Sequence, residues 1–349
     1  VLEAAQRDLL ALPGVGMSVL EISHRSPPFE RILQETQDNL RTLLAIPANY
    51  KILFLQGGSL LQFSMIAMNF LRGQELPADY VVTGTWGKKA LADAKLEGAA
   101  RAAWDGGASK YDHLPAAAEI DFSPQAAYIH TTSNETIQGV QFAATPPFAG
   151  AAGKASVICD ASSDFLCRPM PVDQYGMIYA CAQKNAGPAG VTVAIVREDL
   201  LARSPSNLPG ILSYAVMAEN NSLFNTPPVF GIYVVMLVTR WLLNDVGGLA
   251  RMEELNREKA KLLYDAIDGS GGFYQGHARQ DCRSLMNVTF RLPDADAEKA
   301  FLKGAESKGL FQLKGHRSVG GIRASIYNAM PREGVALLAD FMRQFAAGR

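Results

Sequence analysis

One lysine of this chain sits where a side-chain amine could do chemistry. In "YACAQKNAGPAG" (179–190), Lys184 stands between an apolar run and a turn of small residues, and "VTVAIVRED" follows, apolar again. A lone cation between two buried-strand patterns has three readings: a solvated turn residue, half of an ion pair, or a nucleophilic amine. Other residues bear on the choice. Asp160 closes the apolar run "SVICD", where it either caps the next turn or needs a partner for a buried charge. Gly57, Gly58 and Ser59 follow "YKILFLQ". They read as a tight turn, or as backbone N–H groups approaching a phosphate at a helix N-terminus. Trp86 follows "DYVVTG", as a core or rim aromatic or as a flat face for a ring. Thr136 of "SNET" offers a hydroxyl, although the same string reads as a helix cap with Glu in the first turn.

Taken together these types fit one cofactor. Lysine can hold pyridoxal phosphate as a Schiff base. That group then wants an anion cradle for its phosphate, a carboxylate for its ring nitrogen and an aromatic for its face. A carboxylate beside the pyridinium raises the pKa of the ring nitrogen. Asp160 precedes Lys184 by 184 − 160 = 24 residues, about the length of one crossover to a neighbouring strand. Two His-Arg dipeptides, His24-Arg25 and His316-Arg317, stand apart in a chain with only 5 histidines. Arginine is suited to bidentate carboxylate and phosphate binding; solvated turns are the alternative.

The elements that must position these residues alternate. Apolar runs at 50–56, 79–84, 126–132, 155–162, 176–182 and 191–196 read as strands, with helices at 57–71 and after Trp86. Such alternation predicts an α/β fold, a mostly parallel sheet covered by helices, with ligands beyond the carboxyl ends of the strands. Past residue 248 the texture turns to charged amphipathic helices and short strands, a smaller α+β unit. The expected division is a large domain over 1–247 and a small domain over 248–349, with the amino-terminal helix a candidate to pack on the small one. The stretch 229–247 is strongly apolar but contains Arg240 and Asp245, and reads as a buried core or interface helix rather than a membrane span. Net charge is −1, with 33 Lys+Arg against 34 Asp+Glu, and no basic run points to nucleic acid. The four cysteines, Cys159, Cys167, Cys181 and Cys282, form no C-x-x-C pair and no zinc spacing, so no metal and a reduced cytoplasmic setting are expected. The opening "VLEAAQRDLL" shows no basic leader followed by a long apolar run.

The strings "SHRSPPFERIL", "FLQGGSLLQFSMIAMNFL", "SNETIQGVQF", "YGMIYACAQKNAGPAGVTVAIVREDLL", "LFNTPPVFGIY" and "GHRSVGGIRASIYNAM" span residues 23–330. Through them the chain resembles the phosphoserine aminotransferase family, class V aminotransferases within the fold-type I pyridoxal-phosphate enzymes. The resemblance implies that Lys184 carries the cofactor, that Asp160 pairs with its ring nitrogen, that Trp86 stacks on the ring and that Thr136 bonds near the ring hydroxyl. It implies that Gly58, Ser59 and Gln183 hold the phosphate, joined by Asn225 and Thr226 from the second subunit of a homodimer. His24, Arg25, His316 and Arg317 would form the pocket for the substrate's distal anion, and Arg323 would bind the α-carboxylate. The implied reaction is ping-pong transamination between L-glutamate and 3-phosphohydroxypyruvate in serine biosynthesis, or with the related four-carbon phosphorylated oxo acid of pyridoxal phosphate biosynthesis.

This chain departs from the family pattern in two places. Some members carry an arginine just after the glycine pair, where this chain has Ser59 and Leu60; anion binding then leans on the two His-Arg pairs. The short glycine-proline segment that opens the family is not found. The alternatives are an alanine–glyoxylate aminotransferase, a cysteine desulfurase and a non-enzymatic phosphate-binding module. The desulfurase needs a mobile cysteine, for which Cys282 is the candidate. The module needs a G-x-G-x-x-G that "QGGSLLQ" lacks.

Overall fold

The structure, a computed structural model, describes residues 1–143, 146, 148, 155–317 and 319–348. The strands are β1 (Tyr50–Leu55), β2 (Ala78–Val82), β3 (Ala100–Asp105), β4 (Tyr128–Thr132), β5 (Asn134–Glu135), β6 (Val140–Gln141), β7 (Ser156–Asp160), β8 (Met177–Cys181), β9 (Thr192–Arg197), β10 (Gln275–Gly276), β11 (Asn287–Arg291) and β12 (Ile322–Ser325). The helices are α1 (Leu2–Leu10), α2 (Pro27–Leu44), α3 (Gly58–Phe70), α4 (Thr85–Ala94), α5 (Glu198–Leu201), α6 (Tyr214–Glu219), α7 (Val229–Trp241), α8 (Leu249–Asp268), α9 (Ala295–Ser307) and α10 (Arg332–Ala347).

The central sheet has seven strands in the order β1-β9-β8-β7-β4-β2-β3. It is mostly parallel, as the sequence predicts. The exception is β9, antiparallel to both β1 and β8. Its apolar run predicts burial but carries no information on direction. β1 therefore points the same way as β8, β7, β4, β2 and β3, and six carboxyl ends share one edge. The short strings buried on both faces are what a covered sheet requires. Ile52, Val81, Ile129, Val157, Ile178 and Val193 enter one hydrophobic cluster with α2 and α7. Their neighbours Leu53, Val82, Tyr128, Ile158, Tyr179 and Ala194 enter a second, with α3 and α4. Each Val, Leu or Ile among them contributes roughly 1.5–3 kcal/mol of burial free energy, and the period of two fixes the register.

The apolar segment Val229–Val246 is long and apolar enough to cross a membrane by length and composition. Here Ile232, Tyr233, Val235 and Met236 are buried in the first cluster, and α7 packs along α2. The amino-terminal helix also joins this cluster, through Ala5. Its buried Asp8 accepts a hydrogen bond from the Tyr233 hydroxyl on α7, so α1 sits on the large core and not on the small sheet. A third cluster gathers α8, α9, α10 and the sheet β10-β11-β12. The first turn of α8, with Leu249 and Met252, still packs in the large core.

Candidate active site

The shared carboxyl edge gathers the chemistry-bearing residues around a cavity of about 260 Å3. Its lining includes Gly58, Ser59, Trp86, Thr136, Asp160, Gln183 and Lys184. Each arrives from the end of a different parallel strand or from the hairpin β5-β6. Register sets Asp160 beside Thr132 of β4 and beside Tyr179 of β8. Lys184 follows β8 by a short turn, and its Nζ donates to Thr136 Oγ1 at 2.8 Å. The same amine lies 5.9 Å from the centroid of the Trp86 ring. Of the three readings open for Lys184, a half-buried amine aimed into a cavity is the one its contacts support.

Asp160 is buried, 3% exposed, and accepts the Ser162 N–H at 2.9 Å. Burial raises its carboxyl above the usual range, against the Ser162 hydrogen bonds and the Lys184 charge. Such a carboxylate is stabilised by a cation placed in the cavity.

The cavity lining also takes in the start of α3. Gly57 caps α3 in the left-handed region at φ 83°, without a side-chain cap, so the first N–H groups of a 13-residue helix face out. Gly57 must be glycine there, since a Cβ would meet Leu61 Cδ2 at 2.5 Å. Ser59 Oγ and Ser162 Oγ lie 2.7 Å apart, and Ser162 Oγ accepts the Cys181 N–H at 3.1 Å.

These residues fit pyridoxal phosphate on their own terms. The cavity joins a primary amine, a buried carboxylate, a flat indole wall and a helix N-terminus. Thr132 Oγ1, in its lining, is buried without a hydrogen-bond partner among the described residues.

The remaining site residues are dispersed. Asn225 lines a separate cleft behind the glycine turn, with Gln56 and Leu61. Its Nδ2 reaches Gln56 Oε1 at 3.3 Å, and the Thr226 carbonyl accepts from Gln56 Nε2 at 3.4 Å. Neither residue lines its own chain's Lys184 cavity. His316 and Arg323 share a narrow cleft on the small sheet. Burial lowers the His316 pKa, and the charges of Arg323, Arg317 and Lys89 add to the effect. The buried Arg323 Nε has no partner among the described residues.

The expectation of one pocket built from both His-Arg pairs is not met within a single chain. His24 and Arg25 occupy the turn before α2, where the Arg25 N–H donates to Ser23 Oγ at 3.2 Å, and they line neither this cleft nor the cavity. The reason is topological: one pair precedes a helix of the large core, the other rides the loop before β12. Cys282 is buried, 4% exposed, and burial pushes its thiol up to about 12, which removes it as a mobile nucleophile.

Sequence reasoning missed three participants. Lys89, one helical turn after Trp86, holds its Nζ 4.6 Å from the Trp86 centroid. Asn185, next to the lysine, accepts the Asn328 N–H at 3.0 Å, so "QKN" and "YNAM" touch; both lie within strings that carry the family resemblance, which was the available signal. Glu135 does not cap a helix of its own, because "SNET" forms a hairpin. Its carboxylate crosses to α4 and accepts from the Trp86 and Gly87 N–H groups at 3.0 and 2.8 Å.

Residues 1–338 match the family model described as aminotransferase class-V. A phosphoserine aminotransferase from Rhodopirellula baltica is 52% identical over 347 residues, covering 99% of this chain and 92% of that one. The structure of phosphoserine aminotransferase from Bacillus circulans subsp. alkalophilus superposes with a TM-score of 0.96 at 51% identity, over 100% of this chain and 95% of that one. The structure of pyridoxal-phosphate-bound phosphoserine aminotransferase from Trichomonas vaginalis gives 0.91 at 39% identity, over 98% and 95%. The chain belongs to the class V aminotransferase family, among its phosphoserine aminotransferases.

Proposed function

We propose that this enzyme transfers the amino group of L-glutamate to 3-phosphohydroxypyruvate, giving 2-oxoglutarate and O-phospho-L-serine, with pyridoxal phosphate held at Lys184. The observation that carries the reading is the convergence of the Lys184 amine, the buried Asp160 carboxylate, the Trp86 wall and the α3 N-terminus on one cavity. Bound there, pyridoxal phosphate supplies the electron sink that stabilises the carbanion left when an amino acid loses its α-proton.

The chain's own residues do the rest. Asp160 keeps a proton on the ring nitrogen. Gly58, Ser59 and Gln183 hold the phosphate, and the uncapped N–H groups of α3 add a favourable field. Trp86 and Thr136 fix the ring plane and its hydroxyl side. Lys184 Nζ, released when substrate binds, accepts the α-proton and returns it to the neighbouring carbon as a general acid–base. Arg323 receives the α-carboxylate; its partnerless Nε suits that role. His316 and Arg317 receive the distal carboxylate or phosphate, and the nearby Lys89 charge favours a dianion.

Asn225, Thr226, His24 and Arg25 complete the site from the second subunit of a homodimer. In support, all four stand outside the lining of the Lys184 cavity of their own chain, and Phe224, which precedes Asn225, is 48% exposed. Four buried, unpaired cysteines suit a reducing cytoplasmic setting. An amino-acceptor panel with glutamate as donor tests the proposal. 3-Phosphohydroxypyruvate, or its four-carbon phosphorylated relative, should exceed pyruvate and glyoxylate by at least about tenfold in kcat/KM. Equal use of glyoxylate would refute the assignment.

A further inference from the structure

The indole that walls the cavity has no polar anchor among the described residues. Trp86 Nε1 is buried without a hydrogen-bond partner among the described residues. The ring lies near two cations, Lys89 Nζ at 4.6 Å and Lys184 Nζ at 5.9 Å, and cation–π attraction does not fix rotation in the ring plane. The ring also packs against the second hydrophobic cluster, so its placement depends on that packing and on the backbone of the first turn of α4.

Glu135 holds that turn. One carboxylate oxygen accepts the Gly87 N–H at 2.8 Å and the other accepts the Trp86 N–H at 3.0 Å. Gln138 completes the grip, accepting the Thr85 N–H at 3.3 Å and donating to Thr85 Oγ1 at 2.8 Å. The fit is tight: a Cβ on Gly84 would lie 2.5 Å from Glu135 Cδ.

An ordinary helix cap would be a Ser, Thr, Asp or Asn at the N-cap itself. Here Gly84 occupies that position, and the cap is a fully buried carboxylate sent from another element. Burial pushes it up to about 7, against the two N–H groups, with the Asp160 charge raising it and the Lys184 charge lowering it. A group this costly to bury needs a return. The next residue, Thr136, receives the Lys184 amine. Two consecutive side chains of one hairpin thus set the ring wall and the lysine against each other.

We propose that Glu135 is the positioning residue of the cofactor site, its carboxylate fixing the plane of Trp86 relative to Lys184. The inference rests on reading the cavity as a pyridoxal phosphate site.

The test compares wild-type holoenzyme with Glu135→Gln, Glu135→Ala and Gly84→Ala. The last keeps the carboxylate but displaces it from the opposite side, and it decides the matter if Glu135→Ala does not fold. Three quantities are read: the pyridoxal phosphate dissociation constant, the induced visible circular dichroism of the bound cofactor, and Tm. Glu135→Ala and Gly84→Ala should each weaken cofactor binding about tenfold and diminish or shift the dichroic band. Glu135→Gln, which retains one acceptor oxygen, should fall between them and wild type. Lowered Tm with wild-type affinity and an unchanged band would make Glu135 a helix cap only and overturn the inference. A wild-type protein that binds no pyridoxal phosphate would overturn the cofactor reading itself, an outcome the control arm separates from the first.

Discussion

Around Lys184, the side chains proposed to hold the cofactor are gathered within one chain and linked through Thr136, Ser162 and Glu135. Around Arg323, the cations are gathered only in part. His316, Arg317 and Lys89 stand close enough to act on one another, while His24 and Arg25 lie on a distant turn. The first region sits where parallel strands end, so sheet register alone brings its members together. The second rides the loop before β12 in the small unit, away from the shared strand ends. One site is assembled within the chain; the other, under the proposal, is completed by substrate and by a second subunit.

The comparison can be broken or sharpened by substitution, beginning with the largest effect. Lys184→Ala should abolish transamination while leaving the thermal transition within a few degrees of wild type, because the covalent attachment and the proton shuttle go together. Substantial turnover would mean the wrong lysine was chosen. Asp160→Asn should slow α-proton abstraction in single turnover by at least about a hundredfold, with a much smaller loss of bound cofactor, since the phosphate contacts remain. An unchanged single-turnover rate would reduce Asp160 to a turn cap.

The cation region should respond selectively. Arg25→Ala or Arg317→Ala removes a charge-assisted hydrogen bond of about 1.5–3 kcal/mol, or roughly ten- to hundredfold in kcat/KM for the phosphorylated oxo acid. Pyruvate, which lacks the distal anion, should be little affected. Arg323→Ala should slow both substrates, because both carry the α-carboxylate. Equal losses on the two substrates in the Arg25 and Arg317 variants would remove those residues from the distal pocket.

The last effect is thermodynamic rather than kinetic. Burial lifts the Glu135 carboxyl from 4.5 to about 7, so over that range the folded apoprotein binds more protons than the unfolded chain. Its contribution to stability is full below the unfolded pKa and is lost as pH rises through the folded one. The span corresponds to about 3 kcal/mol. Denaturant unfolding of apoprotein should show wild type losing that much relative to Glu135→Gln between about pH 4 and pH 8. A flat difference would show that Glu135 ionises without penalty.

How far these features could be read from sequence depended on how local their cause was. Lys184, Asp160 and the glycine turn were legible because each closes an apolar run, and strand ends are where α/β sheets place ligands. β3 escaped notice because its half-exposed "ARAAWD" lacks the apolar β-branched run of the central strands. The reversed direction of β9 left no trace, since an apolar run encodes burial and not polarity. The role of Glu135 was not legible because "SNET" also carries a local capping pattern, and only the tertiary fold reveals that the helix it caps is α4. The His-Arg pairs were legible as chemistry but not as geometry: residue type announces an anion, while placement depends on which loops meet.

Borohydride reduction of the purified holoenzyme, followed by peptide mapping, tests the assignment of Lys184 most directly. A pyridoxyl group should appear on the peptide containing Lys184, at near one equivalent per chain, and on no other lysine. A label on a different lysine, or none on protein that retains aminotransferase activity, would contradict it.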